Sequence, residues 1–226
     1  MDIVASIKSA IAPPHKAGYP FIVGGIAVWL LGVLVSHVLM WLGLIFWVFC
    51  LYFFRDPERV PPPRANAILA PADGLVVLVD SALPPPELEM PAVPLPRIAI
   101  FLSVLDVHVN RIPLAGTIQK IAYRPGKFLN AADDKASDEN ERNALRLTLP
   151  DGRDLAVVQI AGLIARRILC DVVPGERVKT GARFGIIRFG SRTDIYLPPG
   201  TLPLVARGQR MIGGETVLAE LPPIPA

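Results

Sequence analysis

Apolar and polar positions follow two regimes along this chain. From Ala17 to Phe54, 38 consecutive residues contain no Lys, Arg, Asp or Glu, and all three tryptophans (Trp29, Trp41, Trp47) lie there. As one helix this run would rise about 57 Å, against a hydrocarbon core of ~30 Å. Two short helices breaking near Ser36-His37 fit better. The run is also too long for the ~7–15-residue core of a signal peptide. Lys8 and Lys16 precede it and Arg55 and Arg59 follow it. Positive flanks on both sides predict an even number of crossings with both ends cytoplasmic. A re-entrant hairpin, or two helices lying in the interface, meets the same facts. The alternative without a membrane is a hairpin buried in a soluble core. Residues 1–54 are therefore expected to form a membrane-associated helical segment, and 55–226 a separate domain.

Past Phe54 the pattern changes to short apolar runs separated by Pro, Gly and Asp, which predicts strands and turns. FFRDPERVPPP (53–63) ends the helical part, because Asp56-Pro57 and the Pro61–Pro63 run cannot continue a helix. NAILAPADGLVVLVD (66–80) reads as two strands flanking a Pro-Ala-Asp-Gly turn, and PPPELEMPAVPLP (84–96) as a loop. RIAIFLSVLDVHVNRIP (97–113) starts as a buried strand and becomes polar. GTIQKIAYRPGKFL predicts a strand pair turning at Pro125-Gly126, and residues 132–143 a charged loop or short helix. ALRLTLPDGRDLAVVQIAG predicts a hairpin about Pro150-Asp151-Gly152, and LIARRILC a strand or short helix.

The tail repeats itself. VPGERVKTGARFGII (173–187) and ARGQRMIGGETVLAE (206–220) share Gly-bounded turns, Gly175 matching Gly208 and Gly181 matching Gly214. Two such units predict a pseudo-symmetric small β-sandwich or barrel. The echo resembles the half-repeats of biotinyl/lipoyl-like domains. The expected fold is thus β-rich (all-β to α+β), of biotinyl/lipoyl-like barrel-sandwich character, behind an apolar helical hairpin. Between the two echoing halves stands IIRFGSRTDIYLP (186–198), whose Gly190-Ser191 step is either a plain turn or a bond to be broken.

Composition removes some classes of function. A net charge of +3 without a cluster of basic and aromatic residues argues against nucleic acid. Cys50 and Cys170 are isolated, and no paired His, CxxC or HExxH offers a metal site. No GxGxxG follows a strand. The 55–226 part has a single histidine, His108, set among Asp106, Asn110 and Arg111 just after an apolar strand. Rigid elements commonly present functional side chains from such places. Asp73, in PADG, is either an Asx turn or the orienter of a histidine. Ser191 has no GxSxG around it, so a hydrolase elbow is unsupported. With His108 as base, its hydroxyl has another available reaction: attack on the Gly190 carbonyl, an N-to-O acyl shift. Elimination then releases the Gly190 carboxylate, and hydrolysis of the dehydroalanine leaves a pyruvoyl group.

Taken together, several motifs make the chain resemble the phosphatidylserine decarboxylase family in its short form. They are FFRDPER (53–59), PADG (71–74), FLSVLDVHVNRIPLAG (101–116), YRPGKFLNAADDKASDENERN (123–143), QIAGLIARRI (159–168) and GERVKTGARFGIIRFGSRTDIYLP (175–198). The resemblance implies self-cleavage between Gly190 and Ser191 into a β chain (1–190) and an α chain (191–226), with a covalent pyruvoyl group at residue 191 and no metal. It implies roles for Asp73, His108 and Ser191 in maturation. The family's long branch has a second histidine where this chain has Arg111, so His108 is expected to serve both self-cleavage and reprotonation. The implied reaction takes phosphatidylserine to phosphatidylethanolamine and CO2 through a Schiff base to the pyruvoyl. Asn110, Arg111 and Lys127 are the candidate headgroup contacts. The implied partners are a phospholipid substrate and the membrane, a tight complex of the two chains, and a homodimer. The implied location is the cytoplasmic side of the cell membrane.

Other readings remain open on sequence alone. The same chemistry would serve an archaeal-type, ether-linked serine phospholipid. A membrane-attached biotinyl/lipoyl-like adaptor would share the fold, but its modifiable Lys is replaced here by Gly-Ser. A serine hydrolase would keep Ser191 intact.

Overall fold

The computed structural model describes residues 12–126, 140–162, 167–188 and 191–223. The chain divides into two compact units, meeting in sequence between Glu58 and Arg59.

The first unit is a helical hairpin. A single 3-10 turn at Lys16–Gly18 leads into α1 (Tyr19–Val35), and α2 (His37–Phe53) follows. Ser36 breaks them: it is extended at φ −164° and ψ 129°, as the Ser36-His37 reading predicted. Pro20 falls in the first turn of α1, where a missing N–H costs nothing. Glycines let the two backbones approach: a Cβ on Gly43 would sit 2.5 Å from the Trp29 nitrogen. Trp29 and Trp47 stack across the crossing at 6.0 Å. Outward, the hairpin stays apolar, with Leu34 85% exposed and Val38 70% exposed. Lys16–Val35 is long and apolar enough to cross a membrane, and His37–Phe53 is shorter. Apolar side chains on every side of a helix need an apolar solvent, so this segment associates with membrane. Lys8 lies outside the described residues.

The second unit holds thirteen strands among its described residues. Eight form one antiparallel sheet in the order β12-β2-β3-β11-β7-β6-β5-β9. They are β2 (Gly74–Ala82), β3 (Leu95–Leu102), β5 (Gly116–Arg124), β6 (Arg142–Thr148), β7 (Asp154–Ala161), β9 (Arg177–Val178), β11 (Ser191–Tyr196) and β12 (Arg210–Met211). Across the interior lie a three-stranded sheet, β4 (Val109–Arg111), β10 (Arg183–Ile187) and β8 (Ile168–Cys170), and the pair β1 (Ala67–Leu69) with β13 (Val217–Glu220). Alternating side chains send Ile98, Ile100, Leu145, Leu147, Leu155, Val157 and Ile195 into one apolar core with Phe184 and Leu218. The result is α+β overall: a curled sheet of the biotinyl/lipoyl-like barrel type behind a helical hairpin.

The tail echo is a true structural repeat. Gly175, Gly208, Gly181 and Gly214 all have positive φ, between 76° and 92°. Each first glycine leads into a two-residue strand (β9, β12) and each second one precedes a longer strand (β10, β13). The repeat also extends upstream, to a stretch the sequence reading left unmatched. Pro71-Ala-Asp-Gly74 corresponds to Pro113-Leu-Ala-Gly116. Gly74 pairs with Met211, and Gly116 with Val178. Bulges follow at matching places, between Val76 and Leu78 and between Ile118 and Lys120. Leu69 N–H donates to Pro113 O, and Arg111 N–H to Pro71 O. The large sheet is therefore two four-strand sets, β12-β2-β3-β11 and β9-β5-β6-β7, meeting at the β11–β7 pairing. The second set is inserted in sequence within the first. The chain re-enters the first set at residue 191.

GTIQKIAYR is one strand, β5, which pairs with β6 and β9; the second half of the expected strand pair, from residue 127 on, lies outside the described residues. The charged segment is described only from Asn140 onward, where it runs into β6. LIARRILC supplies strand β8, with 163–166 outside the described residues.

Candidate active site

Ser191 opens β11, the central strand, and pairs with Leu102 on one side and Ala161 on the other. It is fully buried, and its hydroxyl has no hydrogen-bond partner among the described residues. That is costly for a hydroxyl. On the same interior face comes Thr193, whose Oγ1 is likewise buried without a partner. Gly190 lies outside the described residues, as does Lys127.

From Leu102 the chain makes a tight turn back towards His108. Asp106 fastens that turn by accepting from the Ser103 N–H (2.8 Å) and hydroxyl (2.7 Å). His108 is fully buried, its Nδ1 lies 2.9 Å from the Asp106 carbonyl oxygen, and its own carbonyl accepts from the Ile187 N–H. The Nδ1 contact holds the ring in place.

Asp73 sits in the turn before β2. One carboxylate oxygen accepts from Arg59 at 2.8 Å, and the other from the Gly213 N–H at 2.8 Å. This links three separated stretches, FFRDPER, PADG and the second tail turn. Sequence reasoning used Arg59 only as a positive flank of the apolar run, not as a partner of Asp73. Its ion pair with Asp73 is mostly buried, at 14% and 16% side-chain exposure.

Asn110, on β4, is fully buried and accepts from Gln159 Nε2 at 2.7 Å. Gln159 accepts in turn from Asn143 Nδ2 at 2.9 Å. Neither Gln159 nor Asn143 was picked out by sequence. The available signal was a polar residue at an inward position of an otherwise apolar strand, in AVVQIAG and in RNALRL. Arg111, the next residue of β4, donates to the Gly181 carbonyl at 3.0 Å, and its stem packs under Gly214.

The opposite face of the sheet is also polar, but differently. There Arg192 grips Asp194 through two bonds (2.7 and 2.8 Å) and Arg97 grips Asp80. The Asp80 hydrogen bond holds the Arg97 guanidinium well above its ordinary pKa, and burial pushes the Tyr196 phenol up. A cavity of about 370 Å³ opens here beside Arg97, Arg142, Asp194 and Tyr196. Strand alternation puts it on the other side of β11 from Ser191, and its arginines are matched by acids. Among the described residues, no three His, Cys, Asp or Glu side chains gather as a metal site would need.

Fold and site together define a membrane-associated α+β protein with a buried serine at the head of a central strand. The phosphatidylserine decarboxylase family profile matches residues 46–219. The chain is 65% identical over 223 residues, covering 99% of it and 91% of the relative, to the phosphatidylserine decarboxylase proenzyme of Granulibacter bethesdensis. It is 60% identical over 225 residues to the proenzyme of Gluconobacter oxydans, covering 98% and 100%, and 54% over 211 residues to that of Ruegeria pomeroyi, covering 93% and 96%. The chain belongs to the phosphatidylserine decarboxylase family.

Proposed function

We infer that this chain is a carboxy-lyase of phospholipid biosynthesis, converting phosphatidylserine to phosphatidylethanolamine and CO2. The observation that carries this is identity of 54–65% to decarboxylase proenzymes over nearly the full chain. The cofactor is a pyruvoyl group that the proenzyme generates from itself. Residue 191 suits that group, because the hydroxyl that would be consumed is buried and unpartnered. When present, the group supplies a ketone for the substrate amine and a sink for the electron pair left as CO2 departs.

The remaining roles belong to the chain's own side chains. His108 takes the Ser191 hydroxyl proton, the oxygen attacks the Gly190 carbonyl, and the peptide bond to the Ser191 nitrogen breaks as that nitrogen takes up the proton, leaving an ester. Loss of the Ser191 α-proton then expels the Gly190 carboxylate from Cβ, and hydrolysis of the resulting dehydroalanine releases ammonia and leaves the ketone. Asp73, held by Arg59 and the Gly213 N–H, orients and charge-balances this step. In turnover His108 returns a proton to the substrate carbon. Asn110 meets the headgroup with its amide, Lys127 meets the phosphate, and Arg111 adds positive charge from behind while holding the Gly181 turn. The products are a β chain, 1–190, and an α chain, 191–226. They stay together because β11 is hydrogen-bonded on both sides from Ser191 to Tyr196. We place the enzyme on the cytoplasmic side of the cell membrane, hairpin-inserted or interfacial, as a homodimer.

Intact mass and a denaturing gel test this reading. Wild type should show a small fragment beginning at residue 191, blocked to Edman degradation and altered by borohydride. Ser191→Ala should stay full-length and inactive. A full-length wild-type chain with normal decarboxylase activity would sink it.

A further inference from the structure

Three buried polar groups without partners lie on one interior face: Ser191 Oγ, Thr193 Oγ1 and Asn110 Nδ2. The first belongs to the reaction above. Thr193 Oγ1 has no role in it, Asn110 Nδ2 meets an unspecified part of the headgroup, and each costs the resting fold the desolvation of a donor. They are neighbours: Thr193 faces Gln159 in the β11–β7 register, and Gln159 donates to Asn110.

The orientation of Asn110 is determined by a relay. Asn143 Nδ2 donates to Gln159 Oε1, and Gln159 Nε2 donates to Asn110 Oδ1. Each amide has one acceptor end and one donor end. With Oδ1 held by Gln159, the amino group is the end of Asn110 left without a partner. All three amides are at most 2% exposed. Burying three amides in an apolar core merely to orient one NH2 is an expense that folding alone does not require.

We propose that Asn110 Nδ2 and Thr193 Oγ1 form a neutral two-donor pocket for the carboxylate of the substrate's serine headgroup, with Gln159 and Asn143 as positioning residues behind it. The pocket rests on the assignment of residue 191 as the reacting position. Two neutral donors orient a carboxylate without giving it a counter-charge. A cation there would stabilise the charge that must be lost as CO2, and so oppose the reaction. Arg111, the next residue along β4, is turned to the Gly181 carbonyl. The site thus separates functions: neutral donors at the carboxylate and cations elsewhere on the headgroup.

The test compares two lipids that differ only in that carboxylate. Processed enzyme is first reduced with borohydride, so that nothing turns over. Its affinity is then measured for short-chain phosphatidylserine and for short-chain phosphatidylethanolamine. Wild type should prefer the serine lipid. Thr193→Val and Gln159→Leu should each cut that preference about tenfold, the worth of one directed hydrogen bond, with ethanolamine-lipid affinity unchanged. Thr193→Val guards against a folding artefact. It replaces an unpartnered hydroxyl by a methyl of the same shape, so its thermal midpoint should match or exceed wild type. Normal cleavage, normal stability and an undiminished serine preference in Thr193→Val would overturn the pocket. They would leave the decarboxylase reading standing, since that reading falls only with an uncleaved, active wild type.

Discussion

At the scale of single residues, the site is governed by who holds whom. Asp73 is an anchored carboxylate, and Arg59 is its anchor. Removing Arg59 takes the guanidinium away from a mostly buried carboxylate. Arg59→Ala is expected to cost about 2 kcal/mol, the usual worth of a hydrogen bond to a charged group. It should also slow the appearance of the 191–226 fragment in a time course after synthesis, while Arg59→Lys should restore part of the rate. Unchanged processing in Arg59→Ala would show that the pair is structural only. His108 and Ser191 could be chosen from sequence, because one histidine among polar neighbours and one Gly-Ser step between repeats stand out. Arg59, Gln159 and Asn143 could not, because their partners are far along the chain and nothing local marks them.

At the scale of elements, the repeat assigns each tail glycine a distinct demand. Gly175 and Gly208 have positive φ but open space where a Cβ would go. Alanine there meets only backbone strain, about 1 kcal/mol. Gly181 and Gly214 have positive φ and close neighbours, Pro61 Cγ at 2.6 Å and Arg111 Cδ at 2.8 Å from an added Cβ. Gly214→Ala should therefore cost more, about 2–3 kcal/mol. Apparent Tm values of the four variants in detergent should separate into these two pairs. Four equal losses would mean that the packing at the inner glycines is unimportant. The inner pair deserves its place for another reason: Gly214 roofs the Arg111 stem, and Gly213, beside it, donates to Asp73.

At the scale of the whole molecule, the membrane segment is where sequence composition speaks most directly. Leu34 is 85% exposed and lies near the end of α1, at the bend of the hairpin. If the bend enters the hydrocarbon, an arginine there costs about 2.5–3.5 kcal/mol. We expect Leu34→Arg to float less completely with vesicles than wild type, at unchanged fragment ratio. Equal flotation would mean that the helices lie in the interface, where an arginine reaches water.

The sequence by itself determined the apolar hairpin and its break at Ser36, the β-rich second unit and the tail repeat. These are local properties: absence of charge over a long run, strand-length apolar runs, and glycines at positions that need positive φ. Only the tertiary structure decided that β12-β2-β3-β11 and β9-β5-β6-β7 are matching halves, with PLAG the counterpart of PADG. The sequence conceals this because one half is inserted in the other and the loops differ in length. Only the fold could bring Arg59 to Asp73, or align Asn143, Gln159 and Asn110, because hydrogen bonds between distant strands depend on register. Register is set by the packing of the whole sheet, not by any segment alone.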